Sequence, residues 1–80
     1  MDEYIGIVKL FAGNYAPQGW ALCDGQLLNI NQNTALFAIL GTNFGGNGQT
    51  TFGLPDLRNT APAPNLIYII CVQGLFPPRD

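Results

Sequence analysis

The chain has 80 residues, with three basic and five acidic side chains, a net charge of −2, and neither His nor Ser. So weak a field would not attract nucleic acid or an anionic membrane, and neither is expected as a partner. Without His or Ser one chain cannot assemble a Ser-His-Asp or Cys-His nucleophile, and Cys23 and Cys71, in no C-x-x-C pair, do not make a zinc site.

Residues 1–80 are expected to form one domain. A domain this small is marginal unless disulfides, a metal or further copies add to its core, and association is the expected addition. The start, Met1-Asp2-Glu3-Tyr4, places acidic residues where a secretory signal carries positive charge, and no apolar run reaches the roughly 18 residues of a membrane span. A chain made without an export signal is expected to keep its two Cys free and buried.

Taken in order, residues 4–11 are rich in β-branched and aromatic side chains and predict a strand. Its alternation sends Ile5, Ile7, Lys9 and Phe11 one way and Gly6, Val8 and Leu10 the other. Residues 12–19 are a turn-rich connection. The Asp24-Gly25 pair between apolar flanks then predicts a type I′ hairpin of strands 20–23 and 26–28, with Cys23 facing Gln26 and Leu22 facing Leu27. On that hairpin Trp20 and Leu22 share one face, Ala21 and Cys23 the other.

A short helix is predicted over about 32–40, capped by Asn31, stopped by Gly41, and staple-packed by Ile30. Leu36, Phe37 and Leu40 form its buried stripe. Residues 42–55 read as a long Gly-rich loop anchored by Phe44, Phe52 and Leu54. Asp56 reads as a turn residue paired with Arg58, and Asn59 to Asn65 as an extended spacer. A last strand at 66–73 is apolar over Leu66 to Val72 and needs cover on both faces. The tail is ordered only if Leu75 and Phe76 dock.

The class is therefore α+β: a small antiparallel sheet, one short helix and a Gly-rich loop. One helix covers one sheet face, so the other is expected to meet a second copy, with Ile5, Ile7, Leu66, Tyr68, Ile70 and Val72 as the candidate interface. No catalytic, cofactor or metal residues are assigned. Asp2, Glu3, Asp24, Asp56 and Asp80 sit at termini and turns, poor places for a positioned acid/base pair. The loop Gly41 to Thr50 has a phosphate loop's glycines but no Lys, and it follows a helix instead of opening one. An alternative is sugar binding, in which Trp20, Tyr15, Tyr68 and Phe44 offer stacking faces and Asn43, Phe44, Asn47 and Gln49 line the contact.

Three blocks in order carry a resemblance. They are FAGNYAPQGWALCDGQLL at Phe11 to Leu28, NTALF at Asn33 to Phe37, and GGNGQTTFGLPDLR at Gly45 to Arg58. Together with the ending YIICVQGLFPPRD, they closely resemble the phage tail-collar domain family, which includes the microcystin-dependent proteins. The resemblance implies a structural or adhesive module of a tail fibre or contractile particle. It also implies a trimer, other tail proteins as possible partners, and a passage from the bacterial cytoplasm to the virion. Longer members carry a variable, often His-containing segment before the last strand. Here only Asn59 to Asn65 bridges the two, so no His-based metal site carries over.

Overall fold

The computed structural model describes residues 3–78. The elements are β1 (Val8–Phe11), β2 (Trp20–Leu22), β3 (Leu27–Asn29), a 3₁₀ turn (Ile30–Gln32), α1 (Thr34–Leu40), β4 (Thr51–Gly53) and β5 (Ile67–Cys71). They form a three-stranded sheet in the order β1-β5-β2 and a two-stranded sheet of β3 and β4, with every pair antiparallel. The α+β class holds. The positions expected for Asp2 and Asp80 lie outside the described residues.

The most apolar strand is the central one. β5 pairs Lys9 with Ile69 on one side and Leu22 with Ile69 on the other, so its backbone is satisfied from both neighbours. The face carrying Ile70 joins Ile5, Cys23, Leu36, Leu40, Phe52 and Leu54 in one core cluster. Leu36 and Leu40 are the buried residues of α1, and Phe37 lies 5.4 Å from Phe52, centroid to centroid. The predicted stripe is thus the face that packs, and burial is what lets a seven-residue helix persist.

The expected Asp24-Gly25 hairpin does not form. A type I′ turn needs positive φ at both central residues, whereas Gly25 has φ +80° and Asp24 is not in that region. Asp24 Oδ1 instead accepts the Gln26 N–H at 3.1 Å, and the chain changes sheet at this corner. The backbone groups a hairpin would have paired go elsewhere. Cys23 N–H donates to Tyr68 O, Leu57 N–H to Cys23 O, Gly25 N–H to Pro55 O and Leu54 N–H to Gln26 O. β2 pairs with the apolar last strand on its other edge.

Three smaller expectations are also corrected. The 4–11 strand breaks at Gly6, where φ is +93° and an added Cβ would sit 3.2 Å from Ile39 Cγ2 of α1. The break resets the alternation, so Ile5 is buried in the core while Ile7 is exposed. At the helix start, Asn31 lies inside the 3₁₀ turn, and Asn33 holds the cap position without a side-chain cap bond. The Asn33 side chain donates back to Asn29 O, which ties the 3₁₀ turn to β3. Residues 51–53 of the expected loop form β4, where Phe52 and the adjoining Leu54 are fully buried, but Phe44 is 48% exposed and does not anchor. There the anchor is backbone: Gly53 N–H donates to Gly45 O.

The reverse face of the large sheet is less open than expected. Ile69 and Cys71 are buried there, outside the cluster that α1 covers. Gly74 lies so close to the Cys71 thiol and to the Glu3 carbonyl that an added Cβ would meet both, so the two terminal segments close over this end. Tyr4 bridges Leu75 in parallel, with Ile5 N–H donating to Leu75 O and Leu75 N–H to Glu3 O. The tail is held by its backbone, since the Leu75 and Phe76 side chains remain about half exposed.

Candidate functional site

Among the described residues, both basic side chains are held in ion pairs. Glu3 pairs with Lys9 and Asp56 with Arg58, the latter through Arg58 Nε and Nη2 at 2.9 and 2.8 Å. The Lys9 hydrogen bond holds Glu3 below the usual carboxylate range, and the Arg58 hydrogen bonds hold Asp56 down at about 2. The remaining carboxylate side chain among the described residues, Asp24, accepts its own turn's N–H. Both cysteines are free and buried, and burial pushes the Cys23 thiol up to about 11 and raises that of Cys71. A thiol so protonated is a packing group and a poor nucleophile. No cluster of three or more metal-ligating side chains occurs among the described residues.

The Asp56 pairing has a pH consequence with a definite sign. Its folded value lies below the ordinary 3.8, so the pairing contributes stability above that pH and loses it as pH falls through about 2. NMR titration should place the Asp56 midpoint near 2, and Arg58→Gln should return it toward the ordinary value. A midpoint already ordinary in the native protein would remove the ion pair from the account.

The four aromatics expected to stack on sugar are not gathered. Trp20 is opposite Cys71 in the register, on the face of β5 that Tyr68 does not share. Tyr15 packs edge-to-face on Phe11, and Phe44 sits on the Gly-rich loop. Of the four polar-loop candidates, Asn43, Phe44 and Gln49 are exposed, whereas Asn47 is spent on the loop itself. Its Oδ1 accepts the N–H groups of Gln49, Thr50 and Thr51 at 2.8, 2.8 and 3.1 Å, and its Nδ2 donates to Thr50 Oγ1. One side chain thus shapes the turn into β4, a role that Asn's short acceptor suits.

Two concavities among the described residues bear on a site. A cleft of about 610 Å³ runs between Cys23, Leu57, Tyr68 and the Pro-punctuated 59–65 bridge, and a smaller one of about 310 Å³ lies by Glu3, Trp20 and Cys71. The ionised groups on their walls, Arg58 in the first and Glu3 in the second, are already held in ion pairs.

What the fold leaves available is apolar surface at one edge. Hydrogen bonding alternates along an antiparallel pair. Cys71 N–H donates to Ile7 O and Lys9 faces Ile69, so Val8 and Leu10 turn their backbone groups outward, away from β5. The opposite edge is partly closed: Trp20 N–H donates to Pro17 O and the Gln26 side chain donates to Leu22 O. Val8 and Leu10 are 37% and 42% exposed, and Tyr4, Ile7, Leu75 and Phe76 add exposed apolar surface around the terminal bridge. Of the six residues expected at an interface, Ile7 is exposed, Leu66, Tyr68 and Val72 are half-buried, and Ile5 and Ile70 lie in the chain's own core.

A family model described as the phage tail collar domain matches residues 6–62, more than two thirds of the chain. No curated protein matches the chain. No helix among the described residues is long and apolar enough to cross a membrane.

Proposed function

We propose that this chain, which belongs to the phage tail collar domain family, is a non-enzymatic assembly module of a phage tail fibre or phage-derived contractile particle that works as a homo-oligomer, with three copies favoured. The observation that carries the reading is the open β1 edge, where outward backbone groups of Val8 and Leu10 coincide with exposed apolar side chains. An unprotected edge of this kind is a template for another strand, and Lys9 alone interrupts it. Of the interface residues expected from sequence, Ile7 stays in the proposal. Ile5 and Ile70 support it from beneath, and Val8 and Leu10 replace them at the surface.

The module is made in the bacterial cytoplasm and ends in the particle, where other tail or fibre proteins are its further partners. The pairing of Glu3 with Lys9 and of Asp56 with Arg58 agrees with a framework role. The adhesin alternative keeps Asn43, Phe44 and Gln49 as exposed contacts for a glycan, but it loses Asn47 to the loop's own hydrogen bonds. Light scattering behind size exclusion tests the assembly reading directly, through the mass of the species in solution.

A further inference from the structure

We propose that Asn47-Gly48 is a deamidation site that the folded Gly-rich loop holds closed, so that modification there follows loop opening. It is the one Asn-Gly step in the sequence; every other Asn precedes a residue with a side chain. A following Gly leaves its backbone nitrogen unshielded by any Cβ, and Asn is a chemically labile residue in long-lived proteins. In the reaction Gly48 N bonds to Asn47 Cγ and the Cγ–Nδ2 bond breaks. Ammonia leaves with the former Gly48 proton, and a cyclic imide remains. Water then opens the imide at either carbonyl, giving aspartate or isoaspartate.

Asn47 is exposed, so burial does not keep water from it. Hydrogen bonding restrains both reacting groups instead. The Gly48 N–H donates to Thr51 O at 3.0 Å, while Asn47 Oδ1 accepts three N–H groups from residues 49–51 and Nδ2 is held by Thr50 Oγ1. The nucleophile and the side chain it would attack are thus each held by partners at residues 49–51.

The two products differ in consequence. The aspartate product keeps an acceptor for the three N–H groups and adds a charge they stabilise. Isoaspartate reroutes the main chain through the side chain and lengthens it just before Thr51, where the register Asn29–Thr51 and Leu28–Phe52 seats Phe52 in the core.

The test incubates the 80-residue chain at mildly alkaline pH, folded and in urea, and follows each Asn by peptide mass mapping. Asn47 is expected to convert first in urea and at least roughly tenfold more slowly when folded, because conversion then waits on local opening. Thr50→Val, confirmed folded by circular dichroism, is expected to speed conversion of the folded form by freeing Nδ2. Equal rates in the folded and unfolded chains, faster conversion at another Asn in urea, or no change in folded Thr50→Val would overturn the proposal.

Discussion

Ile69→Asp is expected to leave no cooperatively folded protein. Ile69 is 4% exposed on the central strand, flanked across the sheet by Lys9 and Leu22. A carboxylate there loses its water, and the Lys9 ammonium across the strand is already paired with Glu3, so a cost of about 4 kcal/mol or more is expected. A chain of this length has only about 4–12 kcal/mol to lose. Leu22→Asp on the neighbouring edge strand is the control. Its side chain is half-buried and the new charge can reach solvent, so a loss of about 1–2 kcal/mol is expected. Urea unfolding followed by the emission of Trp20, the single Trp, reads both. A cooperative transition in Ile69→Asp at the wild-type midpoint would show that this face is not part of the core.

Gly46→Ala is expected to cost more than Gly41→Ala, which carries only the backbone strain of about 1–3 kcal/mol that both share. Both glycines have positive φ, +90° and +57°, so φ alone does not separate them. Space does. A Cβ on Gly46 would lie 2.3 Å from Phe52 Cα and 2.5 Å from Thr51 O, both main-chain atoms, while one on Gly41 meets nothing within 4 Å. Relieving the first clash moves β4 and with it the fully buried Phe52 ring. Thermal unfolding of the two variants side by side should show the difference, and equal losses would mean that the loop does not rest on β4.

Much of the frame is legible from residue type. The helix stripe, the Gly41 stop, the Asp56–Arg58 pair and the buried Phe52 and Leu54 all follow from local chemistry, and each is present. The failures share one cause, competition from segments distant in sequence. Asp24-Gly25 has hairpin composition, yet β5 offers β2 a longer partner and residues 54–57 satisfy the corner's backbone. Gly6 sits in a run that reads as a continuous strand, yet its positive φ lets the Ile7 N–H close a turn onto Tyr4 O, beside Ile39 of the helix. β4 is hidden because the loop before it holds three glycines with positive φ, and its pairing with β3 is fixed by Phe52 meeting Leu28. The exposed edge falls on residues other than those expected for the same reason. Shifting the alternation at Gly6 exchanges Ile5 for Val8 and Leu10.

Light scattering behind size exclusion at micromolar concentration bears most directly on the claim that these exposed edges meet further copies. A species heavier than the 8.6 kDa chain is expected, with three times that mass favoured, and a return to the single-chain mass when Val8→Lys and Leu10→Lys are combined. A monodisperse 8.6 kDa species from the unaltered chain, binding no dye that reports exposed apolar surface, would contradict it.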